Sequence, residues 1–124
     1  MKSFDIAADT YDSFGIIQKW AAKQLGNFVN STIDNRRGNA IEFGAGTGLF
    51  TQYMLPWDEN YLATDQSIQM VNLGKKKFPQ VKWQVMDCRY PILLRPGGYD
   101  YIFCCSVLHW LDDPISVLKE WKKL

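Results

Sequence analysis

The sequence lacks any long apolar run. No stretch among its 124 residues approaches the roughly 18 apolar residues that a membrane-spanning helix needs, and none is expected to cross a bilayer. It also lacks an excess of either charge, with 14 basic and 13 acidic side chains and a net charge of +1. That balance excludes a general attraction to nucleic acid or to an anionic membrane surface, and neither is expected as a partner. Histidine occurs once, at His109, and cysteine three times, at Cys88, Cys104 and Cys105. No pair of these cysteines has metal-ligand spacing, and neighbours in a strand point to opposite faces, so no metal site is expected. An odd number of cysteines, and no apolar stretch at the amino terminus, point to a reducing, cytoplasmic setting. There is no internal repeat and no low-complexity tract.

What the chain has in quantity is aromatic and apolar side chains: five Trp, six Tyr and seven Phe, within a composition that is 47% hydrophobic and 22% charged. Such a chain folds, and its length allows one domain, residues 1–124, with residues 1–35 as an amino-terminal helical segment.

Residues 13 to about 33 carry helical periodicity, with Phe14, Ile17, Ala21, Leu25, Phe28 and Val29 expected on one inward face. Asp12 or Ser13 suits its N-cap, and a separate small helix is expected over residues 4–11. The pattern then changes. Strands are expected over 40–43, 60–64, 81–86 and 99–105, the last as an apolar run suited to burial on both faces. Helices are expected from about 49 to 55, from 67 to 77 with Ile68, Val71 and Leu73 inward, and after Asp112 or Asp113 with Pro114 at the first position. Ile115, Val117, Leu118 and Trp121 form the inward face of that last helix. Lys75, Lys76 and Lys77 read as the solvated last turn of the second helix of the series, where cations suit the helix dipole. Alternating strands and helices imply a parallel sheet with right-handed helical crossovers. The fold class is therefore α/β, a Rossmann-like three-layer αβα arrangement with about four strands.

The first of these strands runs straight into Gly44-Ala45-Gly46-Thr47-Gly48. Glycines there allow a tight turn and close approach of a ligand to the backbone. A dinucleotide fingerprint would place its third glycine one residue further on, where Leu49 stands. Glu42, two residues before the loop, suits a cation such as the aminium or sulfonium of S-adenosylmethionine, and it opposes a pyrophosphate. An NAD-dependent oxidoreductase is accordingly the weaker reading. Asp65 ends the second strand, where a carboxylate accepts hydrogen bonds from vicinal ribose hydroxyls; it could equally cap a helix, although Ser67 can do that too. Asp87 ends the third strand and can accept from an adenine amine, with the Cys88 amide donating to the ring; a turn-forming role is the alternative. Acidic residues at the carboxyl ends of successive strands lie where open α/β sheets bind ligands.

The segments IEFGAGTG (41–48), ATDQSIQM (63–70), VKWQVMDC (81–88) and YDYIFCCSVLHWLDD (99–113) resemble the class I S-adenosylmethionine-dependent methyltransferases. Within them, FDIAADTYDSFGIIQKWAAKQL (4–25) and SVLHWLDDP (106–114) resemble the malonyl-[acyl-carrier protein] O-methyltransferases of biotin synthesis. The resemblance implies that Glu42, Gly44, Ala45, Gly46 and Gly48 hold the amino-acid part of the donor. It implies that Asp65 holds the ribose, that Gln66 and Met70 flank the adenine, and that Asp87 and Cys88 read the adenine edge. Cys105 and Ser106 would lie beside the sulfonium, and Tyr11 would close over the donor.

The implied reaction is a direct displacement that methylates the free carboxylate of a malonyl thioester on acyl carrier protein, in biotin synthesis. Another small acceptor, or a donor-binding module without turnover, are the alternatives. His109 stands where that family more often has Gln, and Cys105 where it often has Asn. His109 is the one candidate base; as a rim residue it would only pack or hydrogen-bond. The family's sheet has seven strands and this sequence carries about four, which leaves the fourth as an edge that a second copy of the chain, as a homodimer, could cover.

Overall fold

The computed structural model describes residues 8–33, 38–57, 60–91, 97–105 and 111–124, with backbone alone over 8–14. In chain order these residues form α1 (Ala8–Thr32), β1 (Ala40–Phe43), a 3₁₀ turn (Thr51–Met54), β2 (Tyr61–Asp65), α2 (Ile68–Lys77), β3 (Lys82–Val85), β4 (Tyr101–Cys104) and α3 (Pro114–Trp121). The strands make one sheet in the order β3-β2-β1-β4, and every pairing is parallel. The register aligns Ala40 with both Tyr61 and Tyr101, and Leu62 with Lys82. All strands therefore end at one edge, and β1 sits in the middle of the sheet.

Alternation along the strands divides the interior in two. Ala40, Tyr61, Ala63, Trp83 and Phe103 face α1, the 3₁₀ turn and α2, joining Ala22, Val29, Phe50, Met54, Trp57 and Val71. Ile41 and Phe43 face the other way and join Met86, Cys88, Leu111, Val117, Trp121 and Leu124. Helices cover both faces, which gives the three-layer arrangement expected. The Phe43 and Trp121 rings stack with centroids 4.6 Å apart, and the Trp121 indole donates to the Cys88 carbonyl at 2.7 Å.

Several boundaries and faces depart from the sequence expectation. Helix α1 already starts at Ala8, so neither Asp12 nor Ser13 caps it and there is no break after Tyr11. Its buried line runs through Ala22, Gly26 and Val29, because Gly26 lies directly on the Tyr53 ring. That contact rotates Ile17 (61% exposed) and Phe28 (63% exposed) outward. In α2 the inward residues are Val71 and Gly74, while Ile68 and Leu73 are exposed. In α3 the buried stripe is Val117 and Trp121 alone, leaving Ile115 and Leu118 exposed.

The α-helix expected at about 49–55 is a series of turns and one 3₁₀ turn. A single i−4 bond, from Gln52 to Gly48, gives way at once to an i−3 bond from Tyr53 to Phe50, and Pro56 follows. Among the described residues strand β4 pairs only with β1; Tyr101, Ile102 and Cys104 are half-buried and Phe103 is buried. At the other two helices the structure selects one of the two caps offered by the sequence. Ser67 accepts from the Met70 amide, and Asp113 accepts from the Ser116 amide with Pro114 behind it.

Gly74 and Gly15 should respond oppositely to the same change. A methyl group at either raises helix propensity by roughly 0.5–1 kcal/mol. Nothing lies near a Cβ at Gly15, whereas at Gly74 it would meet the Trp83 ring. Gly15→Ala should therefore stabilise the fold by that amount, and Gly74→Ala should destabilise it by about 1–3 kcal/mol. Urea unfolding of the two variants checks this. A stabilised Gly74→Ala would contradict the packing of α2 on β3.

Candidate functional site

At the carboxyl edge of the sheet the chain leaves β1 through Gly44, Gly46 and Gly48, with φ of 66°, 57° and 87°. All three are left-handed, a conformation that costs other residues about 1–2 kcal/mol each. The loop is held from several sides. The Ala45 amide donates to the Thr64 carbonyl at 2.8 Å and the Gly48 amide to the Ala45 carbonyl at 2.9 Å. The Lys77 ammonium donates to the Thr47 carbonyl at 3.1 Å, and the Phe78 ring fills the space where a Gly48 side chain would be. Lys75, Lys76 and Lys77 are exposed in the last turn of α2 as expected, and Lys77 also reaches this loop. At Gly46, in contrast, the space beside the backbone is open.

Asp65 joins that loop to the end of β2. Its Oδ2 accepts from the Gly46 amide at 2.9 Å and its Oδ1 from the Ser67 amide at 2.9 Å. Since Ser67 is the cap of α2, Asp65 is free of that duty. A carboxylate has about four acceptor positions, so Asp65 keeps roughly half of them for a ligand. Gln66 beside it is exposed and Met70 is half-buried.

Asp87 follows β3 at the same edge, and the Met86 amide ties this segment to the Asp65 carbonyl at 2.9 Å. Its carboxylate is held by Arg89, a residue the sequence reading passed over. The Arg89 amide and Nε donate to Oδ1 at 2.9 and 3.0 Å, while Nε and a terminal guanidinium nitrogen donate to Oδ2 at 3.2 and 2.6 Å. Those bonds hold the Asp87 carboxyl below its usual range. The Cys88 side chain turns into the core on the α3 side, where burial pushes its thiol up to about 11. Burial likewise pushes the Cys104 thiol up to about 11. Cys105, one residue beyond β4, is half-buried. Ser106, His109 and the Tyr11 side chain lie outside the described residues.

Glu42 is placed differently from the expectation. It is 1% exposed, and its Oε1 accepts from the Thr51 hydroxyl at 2.7 Å and the Tyr61 hydroxyl at 2.8 Å. Its own carbonyl accepts from the Thr64 hydroxyl at 2.8 Å. The carboxyl therefore lies beneath the loop, tying β1 to β2 and the 3₁₀ turn, and does not stand at the loop's mouth. Burial is the largest influence on it and raises its pKa to about 7, against the lowering effect of the two hydroxyls and with a further upward push from Asp65. The same burial and the Glu42 charge push Tyr61 upward. The alternation of strand β1 carried this signal: Glu42 shares the face of Ala40, opposite Ile41 and Phe43.

Away from this edge, a cavity of about 490 Å³ lies among Asn39, Asn60, Leu62, Lys82, Gln84, Gly98 and Tyr99. A second, of about 440 Å³, adjoins Met54, Trp57, Tyr61 and Lys82. Both sit toward the amino ends of the strands, remote from the acidic residues at the carboxyl edge.

The glycine loop with its open side at Gly46 and the carboxylates at the ends of the two neighbouring strands thus lie together at the carboxyl edge of the sheet. A methyltransferase-domain family model matches residues 41–124. Malonyl-[acyl-carrier protein] O-methyltransferase 1 of Ilyobacter polytropus is 32% identical over 125 residues, covering 96% of this chain and 45% of that protein. The corresponding protein of Priestia megaterium is 28% identical over 124 residues, covering 98% of this chain and 45% of its own length. The chain thus spans somewhat under half of these relatives. Among solved structures, magnesium protoporphyrin IX methyltransferase from Synechocystis PCC 6803, with S-adenosylmethionine bound, superposes with a TM-score of 0.71 at 14% identity. That match covers 94% of this chain and 58% of that one. The chain belongs to the S-adenosylmethionine-dependent methyltransferase family.

The buried acid makes stability depend on pH. The folded pKa of Glu42 lies above its ordinary value of 4.5, so the stabilisation of its neutral form is complete below that value and is lost as pH rises to about 7. Across that window the loss is about 3 kcal/mol. Glu42→Gln keeps an acceptor for Thr51 and Tyr61 without the charge, and should flatten this part of the pH profile and be the more stable protein at pH 8. Urea unfolding at a series of pH values checks it. An unchanged slope would place the Glu42 carboxyl in contact with solvent.

Proposed function

We propose that this protein binds S-adenosylmethionine at the carboxyl edge of β1, β2 and β3 and transfers its methyl group to the free carboxylate of a malonyl thioester carried on acyl carrier protein, a step of biotin synthesis. The observation that carries the donor half is the Asp65 carboxylate. It fixes the glycine loop through the Gly46 amide while keeping acceptor positions open beside the unobstructed face of Gly46. The acceptor half rests on the malonyl-[acyl-carrier protein] O-methyltransferases among the relatives, at 28–32% identity. When bound, S-adenosylmethionine supplies an activated methyl group on a sulfonium.

The chain's own residues then position and shield. Asp65 accepts from the ribose hydroxyls, Asp87 from the adenine amine, and Gly44, Gly46 and Gly48 leave their backbone open to the amino-acid tail. Glu42 acts from beneath by holding β1, Thr51 and Tyr61 in one hydrogen-bonded unit. Met70 offers apolar surface to the adenine. An ionised carboxylate acceptor needs little proton removal, so alignment is the main demand on the site.

Calorimetric titration of the 124-residue chain with S-adenosylmethionine should show one site, and Asp65→Asn should weaken it about tenfold or more, the range for a hydrogen bond to a charged group. Incubation with malonyl-acyl carrier protein and the donor should then add one methyl group to the malonyl moiety, read by mass spectrometry. Donor binding with no methylation of that carboxylate would overturn the acceptor assignment. Undiminished binding by Asp65→Asn would overturn the placement of the ribose.

A further inference from the structure

The Asp87–Arg89 pair sits where the proposed donor reading, on which this inference rests, places the purine edge. Two properties set it apart from an ordinary surface ion pair. First, it is heavily occupied: three donor hydrogens reach it, the Arg89 amide on Oδ1, the single Nε hydrogen shared between Oδ1 and Oδ2, and the terminal nitrogen on Oδ2. Against about four acceptor positions on a carboxylate, only about one remains for a neutral amine. Asp65, one strand over, accepts from only two backbone amides. Second, the pair is accessible and has somewhere to go. The Arg89 and Asp87 side chains are 35% and 28% exposed, and the guanidinium carbon lies 5.3 Å from the centroid of the neighbouring Tyr90 ring. Tyr90 is itself exposed, so a guanidinium released from Asp87 can remain over that ring or move to water.

We propose that Arg89 is an affinity-setting residue of the donor site, holding the Asp87 carboxylate in the free protein so that an adenine amine competes with the guanidinium for its acceptor positions. The backbone bond from the Arg89 amide to Oδ1 survives this exchange and keeps the carboxylate oriented; only the side-chain bonds are given up. Ligand and guanidinium thus compete for one carboxylate. Binding is weaker than the pocket alone would provide, by the strength of a partly exposed ion pair. Because the competitor is an ion pair and the ligand edge is neutral, raising the ionic strength weakens the competitor selectively.

The probe is S-adenosylhomocysteine, which carries no net charge, titrated calorimetrically into the wild-type chain, Arg89→Met, Arg89→Lys, Asp87→Asn and the double variant Asp87→Asn/Arg89→Met. Arg89→Met should bind about fivefold more tightly than wild type, at the upper end for a partly exposed pair. Arg89→Lys, which retains charge without the bidentate fork, should fall between them. Asp87→Asn should bind more weakly, and in that background Arg89→Met should make no further difference. The advantage of Arg89→Met should shrink in high salt.

If Asp87→Asn weakens binding while Arg89→Met is unchanged or weaker than wild type, Arg89 does not compete and this inference falls, with the donor site left standing. Wild-type binding that Asp87→Asn leaves untouched would remove Asp87 from the adenine edge and the inference with it. No binding to any form would overturn the donor reading itself.

Discussion

The rest of the site depends on one hydrogen bond, from the Gly46 amide to Oδ2 of Asp65, at 2.9 Å. A loop with three left-handed glycines has many conformations available in the unfolded chain, and fixing it is costly in entropy. The carboxylate at the end of β2 selects one of them. Parallel pairing of β1 with β2 makes that selection accurate, because the register holding Glu42 opposite Ala63 also sets how far Asp65 extends beyond Phe43. The tertiary frame thus converts a flexible segment into a preorganised one.

Beneath that bond lies a second polar layer. Glu42, Thr51, Tyr61 and Thr64 form a hydrogen-bonded group inside the apolar core, and each is buried. A network of this kind specifies the relative placement of β1, β2 and the 3₁₀ turn more sharply than apolar packing alone. It also buries the acidic residue of the loop motif, whose carboxylate accepts from Thr51 and Tyr61. Charge presented at the edge itself then comes from Asp65 and Asp87, the second already neutralised by Arg89.

Much of this was legible in the sequence. The run Ala40–Phe43 into alternating glycines, the acids at the ends of β2 and β3, the candidate caps that include Ser67 and Asp113, and four parallel strands follow from local chemistry and connection rules. The faces of the helices were not. Periodicity identifies a stripe but not which part of it a neighbour covers, and in α1 and α2 the decisive contacts belong to glycines that yield room to Tyr53 and Trp83. Hydrophobicity gave Phe28, Ile68 and Ile115 to the core when no described element covers them. The Arg89 pair was illegible for another reason: charged residues two apart in a loop meet only if the turn brings them together.

The central claim is that the carboxyl edge of the sheet, and not the cavities toward its amino edge, receives the donor. A nitrogen–proton correlation spectrum of the labelled chain, recorded while S-adenosylhomocysteine is added, tests it most directly. The account predicts that the amides of Gly46, Ser67 and Cys88 shift together with one saturation curve while those of Asn39, Asn60 and Gly98 stay in place. Shifts concentrated at Asn39, Asn60 and Gly98, with Gly46 unmoved, would contradict it.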